Sequence, residues 1–153
     1  MPFRGIYVDT NLLLLYVVGR TGHEYIAKHR RLSQYTVGDY HTLLNVVNRA
    51  EAVYVTPNTL TETTNLLGQH REPERSRFMI MLRHIIHDSQ EVYVASSQAS
   101  SRQDFLQFGL TDAVLLDAAS EETPLLTVDQ RLHSAALAKG DGAALNFLEL
   151  RSF

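Results

Sequence analysis

Short apolar segments rich in β-branched residues alternate along the chain with longer segments in which apolar residues recur at helical spacing. The short segments, which are typical of buried strands, cover residues 6–8, 53–55, 92–95, 125–128 and 144–147. Two of the longer segments, residues 40–50 and 77–86, carry their apolar residues on one face of a helix. The pattern therefore predicts five strands separated by amphipathic helices.

Capping residues mark the ends of two further helices. Thr56 followed by Pro57 is typical of a helix start, and Gly68 is a suitable end for that helix. Residues 112–120 are apolar on nearly all sides, as expected of a helix that is packed on both sides, and Thr111 is its predicted N-cap. The first of these helices begins directly after the second predicted strand, and the second ends at residues 121–124, before the fourth.

Strands that alternate with helices need crossover connections, and such connections produce a mostly parallel sheet covered on both faces. The predicted fold class is therefore α/β. Loops are expected at residues 19–22 and 33–38, where glycine and polar residues interrupt the pattern. The chain has 153 residues with no internal repeat and no linker, which favours a single domain over residues 1–153.

The absence of cysteine narrows the chemistry. Without cysteine, the chain can have no disulfides, thiolate zinc sites or cysteine nucleophiles, and we expect a cytoplasmic location. The N-terminus lacks the charged and apolar regions of a signal peptide, and the apolar run at residues 12–18 is too short to cross a bilayer. We therefore expect no membrane as a partner.

A formal net charge of -3 argues against a protein that coats nucleic acid through bulk electrostatics. Local basic patches are still compatible with this charge. The candidates are Lys28, Arg30 and Arg31, followed by Arg71, Arg75 and Arg77. The commoner interpretation of such clusters is a solvated helix face, and both interpretations stay open.

Four acidic residues fall where a parallel sheet would bring them together. Asp9 directly follows the first predicted strand and Asp129 the fourth, so both leave the sheet at the same edge. Glu62 lies in the second turn of the helix after the second strand, with Asn65 on the same helix face. Asp112 opens the apolar helix that leads into the fourth strand.

Each of these acids also has an ordinary local explanation. Asp9 could end a strand and start a turn, and Asp129 could cap a helix. Asp112 could be a first-turn acid favoured by the helix dipole, and Glu62 could be a solvent-facing helix residue. The local explanations are weaker for the four residues together than for any one alone.

Converging carboxylates would need a cation or protons. Two unit charges about 4 Å apart repel by on the order of 4 kcal/mol at an effective dielectric constant of about 20. Ligands that are all oxygen favour Mg²⁺ or Mn²⁺ over zinc. Such a cation can bind a phosphate oxygen and activate water for phosphodiester hydrolysis, and Asn11 and Thr127 are placed to orient the water or a carboxylate.

The four acidic motifs resemble those of PIN-domain nucleases in their order and in their placement relative to strands and helices. The motifs are Val8-Asp9-Thr10-Asn11, Thr59-Leu60-Thr61-Glu62, Leu110-Thr111-Asp112-Ala113 and Thr127-Val128-Asp129. The resemblance runs from residue 6 to residue 147. An Asp after an apolar strand is common, whereas four motifs in this order are much harder to obtain by chance.

The resemblance implies a single PIN-like domain with a three-layer α/β/α sandwich around a central, mostly parallel sheet of four to five strands. It also implies a Mg²⁺- or Mn²⁺-dependent endoribonuclease, a hydrolase with RNA as substrate, whose metal ligands would be Asp9, Glu62, Asp112 and Asp129. Many small members are toxins of toxin–antitoxin pairs, commonly homodimeric and inhibited by an antitoxin protein. The stretch from Asp9 to Glu62 is longer than in the most compact members, with the excess around residues 25–39, so a nuclease of RNA processing also fits.

Two other functions stay open. A PIN-like scaffold could bind RNA or protein without cutting. A phosphatase of the haloacid dehalogenase type fits less well, because Asn11 stands where that family has a second Asp and Asp141 precedes a strand. His84 and His87 are three residues apart on a predicted helix, but the commoner interpretation of such a pair is an exposed helix face.

Overall fold

The computed structural model describes residues 2–151, and five parallel strands form its central sheet. The strands are β1 (Ile6–Val8), β2 (Val53–Val55), β3 (Gln90–Glu91), β4 (Leu125–Thr127) and β5 (Ala144–Asn146). Their order in the sheet is β3-β2-β1-β4-β5, and every neighbouring pair is parallel. The predicted α/β fold with a mostly parallel sheet is therefore confirmed.

Helices connect the strands and cover the sheet. They are α1 (Thr10–Thr21), α2 (Val37–Val47), α3 (Pro57–Leu67), α4 (Glu74–Asp88), α5 (Ser96–Ser100), α6 (Phe105–Phe108), α7 (Leu110–Ala118), α8 (Gln130–Ala136) and α9 (Phe147–Leu150). Short 3₁₀ turns lie at His23–Tyr25, Arg30–Leu32 and Leu137–Lys139. The connections between strands are long enough for the chain to cross back over the sheet, so that every strand runs in the same direction.

The two faces of the sheet have separate apolar cores. Because side chains of a strand alternate between faces, Ile6 and Val8 point to one side of β1 and Tyr7 to the other. Ile6 and Val8 pack in the core that contains the buried residues of α1, α2 and α4, whereas Tyr7 packs with residues of α7 and α8. These cores make the three layers that the sequence predicted.

Helix α1 is the most deeply buried helix of the fold. All its residues from Leu12 to Gly19 are buried, because it contacts α2, α3 and α4 beneath the sheet. Asp9 caps its first turn by accepting a hydrogen bond from the Leu12 backbone N–H, at 3.0 Å.

The loop predicted at residues 19–22 is wrong for its first three residues. The helix continues through Thr21, and Gly19 lies against the ring of Tyr40.

The strand predicted at residues 92–95 is also wrong. The third strand consists of Gln90–Glu91, just before that segment, and it forms an exposed edge of the sheet that pairs with β2 alone. The Val92 backbone N–H still donates to the Val55 carbonyl at 2.8 Å, after which the chain leaves the sheet. Edge strands can be polar because one side of their ladder faces water.

Several predicted boundaries shift by a few residues. The helix predicted from residue 40 begins at Val37, because Thr36 and Asp39 form a capping box, and the loop predicted at 33–38 is correspondingly shorter. The helix predicted at residues 77–86 extends over Glu74–Asp88. Phe147 begins α9 and does not end β5, since Asn146 caps that helix.

The helix that carries Asp112 begins earlier than predicted. It starts at Leu110 after Gly109, whose φ of 81° lies in the left-handed region that glycine adopts readily, so Thr111 is inside the helix and is not its N-cap. By contrast, Thr56 caps α3 with Pro57 at its first position, as predicted. Across residues 2–151, none of the helices has both the length and the apolarity needed to cross a bilayer.

Candidate active site

The carboxyl ends of β1 and β4 open into a cavity of about 420 Å³. The strand order reverses between these two strands, and ligands of parallel α/β folds bind at such a reversal. All four predicted carboxylates line this cavity: Asp9, Glu62, Asp112 and Asp129. Asn11, the exposed second residue of α1, lines it as well.

Asp9 lies at the base of the cavity with only 7% of its surface exposed. Its Oδ1 accepts the Leu12 N–H, and its Oδ2 accepts the Thr127 hydroxyl and the Val128 N–H. Burial raises the pKa of Asp9, the charge of Asp129 raises it further, and these three hydrogen bonds oppose the rise. The carboxylate is therefore held in one orientation by groups from both β1–α1 and β4.

Thr127 links two of the acidic residues. Its hydroxyl is fully buried, donates to Asp9 Oδ2 and accepts the Asp129 backbone N–H at 3.0 Å. Asp129 in turn caps α8, because its Oδ1 accepts the N–H groups of Arg131 and Leu132 at 2.9 and 3.1 Å. The predicted role of Thr127 in orienting a carboxylate agrees with these contacts, although Thr127 itself does not line the cavity.

Glu62 reaches the cavity from α3 and is held by two hydroxyl groups. Thr10 donates to its Oε1 at 2.8 Å and Thr111 donates to its Oε2 at 2.7 Å. These bonds join the start of α1 and the start of α7 to the middle of α3. Thr111, predicted as a cap, instead positions Glu62.

Asp112 lies in an environment that disfavours its negative charge. Its pKa is raised to about 6, first by burial and then by the negative charges of Asp9, Glu62 and Asp129. A carboxyl group that senses three others in this way lies in their common field. The charges of three acids from three other elements therefore act on Asp112.

The donor set suits a hard divalent cation, which prefers carboxylate oxygens. Within residues 2–151, however, no three His, Asp or Glu side chains are arranged so that they could hold a metal ion without moving. The hydrogen bonds explain this, because Asp9 and Asp129 each direct an oxygen to a helix start and Glu62 is bound to two threonines. A cation would have to compete with these hydrogen bonds for the carboxylate oxygens.

Two further residues at the site were not predicted there. Arg31 lines the same cavity, although the sequence placed it only in a basic cluster. Tyr35 is buried, and burial together with the negative charge of Asp9 raises its pKa to about 12. The sequence gives one signal for Arg31, its basic cluster, and none for Tyr35. Both residues lie between α1 and α2, where apolar residues show no helical spacing.

The local role of each acid is compatible with the position of all four in one cavity. Asp9 and Asp129 are helix caps, Asp112 lies in the first turn of α7, and Glu62 is exposed on α3. The same backbone geometry that gives each acid a local role also directs it to the cavity. His84 and His87 are exposed on α4, as predicted.

Comparisons with known proteins add no relative to this description. No model of a protein family matches the chain, and no curated protein sequence matches it. The function must therefore be inferred from the cavity and the side chains that surround it.

Proposed function

We propose that this protein is an endoribonuclease that depends on Mg²⁺ or Mn²⁺ and hydrolyses phosphodiester bonds of RNA at the carboxylate cavity. One observation carries the proposal: Asp9, Glu62, Asp112 and Asp129, from four separate elements, line one cavity, and three of them raise the pKa of the fourth. Mutual repulsion of this kind is relieved by a cation. The resemblance of the four motifs to PIN-domain nucleases supports the same reaction.

The chain's own residues would bind the substrate and fix the geometry. Arg31 brings positive charge to the cavity and suits a phosphate group, which arginine can bind through two hydrogen bonds. Asn11 offers an amide to a phosphate oxygen or to the attacking water. A bound divalent cation would polarise the phosphate and lower the pKa of that water.

The other residues would support the carboxylates. Thr127 keeps Asp9 in place, and Thr10 and Thr111 keep Glu62 beside the cavity until a cation competes for it. Burial and the charges of Asp9, Glu62 and Asp129 raise the pKa of Asp112 to about 6. We therefore expect a bound cation to stabilise the ionised form of this residue.

The test is cleavage of single-stranded and structured RNA by purified protein with Mn²⁺ or Mg²⁺, and with a chelator. We expect Asp9→Asn and Asp112→Asn to lower the rate at least about 100-fold, since even residues that only support metal ligands cost about 10- to 100-fold when changed. Asp141→Asn is the matched control, because Asp141 is exposed in the turn before β5, at the end of the sheet where the strands begin and away from the cavity.

Equal cutting by all variants would show a contaminating nuclease and contradict the proposal. RNA binding without cleavage would favour the non-catalytic scaffold. Hydrolysis of a small phosphate monoester, with RNA left intact, would favour the phosphatase.

A further inference from the structure

A second cavity, of about 610 Å³, adjoins the carboxylate cavity. It lies between the 3₁₀ turn at Arg30–Leu32 and the segment that follows α3. Its lining residues are His29, Arg30, Arg31, Gln69 and His70. Arg31 lines both cavities, so the two are neighbours on one surface.

His29, one of the residues that line this cavity, has a buried hydrogen-bond donor. The residue is only 4% exposed, and its Nδ1 accepts the Arg31 backbone N–H at 3.1 Å. A neutral imidazole that accepts at Nδ1 carries its proton on Nε2. Nε2 is buried and has no hydrogen-bond partner in the part of the chain that the structure describes, so this N–H lacks an acceptor.

The imidazole stays neutral, because burial and the neighbouring His70 and Arg31 lower the pKa of His29 to about 4. The His29 and His70 rings lie 4.3 Å apart between centroids, and the His70 ring also packs on Phe78 at 4.9 Å. The donor is therefore fixed in position by packing. Unpartnered buried donors are uncommon in folded proteins and call for an acceptor.

The remaining lining groups also favour an anionic acceptor. Arg30 and Arg31 are both exposed and can only donate hydrogen bonds, and Gln69 adds an amide. None of the five lining residues has a carboxylate, in contrast to the adjoining cavity. A tetrahedral oxyanion with several acceptor oxygens matches this set of donors.

We propose that this second cavity binds a phosphate group of the RNA strand, next to the phosphate that enters the carboxylate cavity. The proposal rests on the proposed ribonuclease function and assigns to it a substrate subsite. Arg31, on the boundary, lies between the two phosphates. Arg30 and the His29 Nε2–H bind the outer phosphate and so set the direction in which the strand crosses the site.

The first test uses inorganic phosphate as the probe and needs no RNA. Titration of phosphate into the metal-free wild-type protein, followed by NMR of the histidine ring nitrogens, is expected to shift the His29 Nε2 signal. Arg30→Gln is expected to weaken this response. An unchanged His29 signal would overturn the assignment of the cavity.

The second test measures binding of a fluorescent single-stranded RNA to full-length protein that carries Asp112→Asn, across a range of salt concentrations. We expect Arg30→Gln to weaken binding about tenfold, and to reduce the slope of log affinity against log salt by about 0.7, the value for one phosphate contact on a single strand. His29→Asn should also weaken binding but leave the slope unchanged, because it removes a neutral donor. The asparagine oxygen can still accept the Arg31 N–H.

The matched control is Arg4→Gln, which removes the same charge at the end of the sheet where the strands begin. There Arg4 pairs with Glu122. It is expected to bind RNA like its parent. If Arg30→Gln also binds like its parent, the subsite is overturned even when cleavage still depends on Asp112. If the protein neither binds nor cuts RNA, the proposed function fails and the RNA subsite with it. Arg30 is exposed, so its variant decides the outcome if His29→Asn does not fold.

Discussion

Asp112 lies in the field of the three other carboxylates of the cavity. Its pKa of about 6 in the folded protein lies above the ordinary value of 3.8. The folded state therefore holds this proton more tightly than the unfolded state does. As the pH rises from about 4 to above 6, the folded protein has to ionise Asp112 against burial and three negative charges, so this residue's contribution to the free energy of unfolding falls.

We therefore expect Asp112→Asn to stabilise the metal-free protein at about pH 8 and to have little effect at about pH 3, where Asp112 is largely protonated in both states. At the higher pH the melting temperature should rise by a few degrees, since about 1 kcal/mol corresponds to roughly 2–4 °C for a chain of this size. Thermal melts of both proteins across this pH range, with a chelator present, provide the measurement. A large decrease in melting temperature for the variant would show that Asp112 acts mainly through the α7 helix dipole.

Individual residues also show which parts of the site could be predicted from the sequence and which could not. The four acids were predictable because Asp9 and Asp129 each follow a strand, while Glu62 and Asp112 lie in the first two turns of helices next to strands, and the chain topology then determines where each acid lies. The hydrogen bonds that Glu62 accepts from Thr10 and Thr111 were not predictable. They depend on side-chain rotamers and on distances between helices that are remote in sequence.

At the scale of elements, α1 shows how packing overrides local preference. Glycine is a poor helix former, and Gly19 near Gly22 read as a loop, yet α1 continues through Thr21. The reason is close packing, because a Cβ on Gly19 would lie 2.4 Å from the Tyr40 ring of α2. That approach exists only in three dimensions and leaves no periodic signal.

Gly19→Ala should therefore destabilise the fold, although alanine favours helices by about 1 kcal/mol. Forcing a methyl group against the buried Tyr40 ring costs about 1–3 kcal/mol, which exceeds or offsets the helical gain. Chemical denaturation of the wild type and the variant measures the difference. The double variant Gly19→Ala, Tyr40→Leu makes room for the methyl group and should recover part of the loss, whereas a more stable single variant would contradict the packing argument.

The edge strand β3 shows a second way in which the sequence pattern can mislead. Residues 92–95 have the composition of a strand, but pairing occurs at Gln90–Glu91, which are polar and exposed. Backbone groups alone form this ladder. Of the residues that follow, Val92 and Val94 are partly buried, with Val94 packed on α5 and α7 residues, whereas Tyr93 is 73% exposed. Composition predicts a buried strand, and here the segment with that composition is neither paired nor fully buried.

At the scale of the whole molecule, the two cavities divide one surface into an acidic and a basic part. Mn²⁺ should raise the melting temperature of the wild type, because a ligand that binds only the folded state stabilises it by about 2.7 kcal/mol at roughly 100 times its dissociation constant. This corresponds to roughly 5–10 °C for a protein of this size. Asp9→Asn should abolish most of the shift and Asp141→Asn should retain it. An equal shift in all three proteins would place the ion outside the carboxylate cavity.

The hydrogen bond between Thr127 and Asp9 joins residues 118 positions apart. A ribosome makes Asp9 long before it makes Thr127 and Asp129. Until then β1 has no β4 beside it, and the cavity lacks one of its walls. If the protein is the proposed ribonuclease, a growing chain would stay inactive toward the message that encodes it until β4 has been made and has paired with β1.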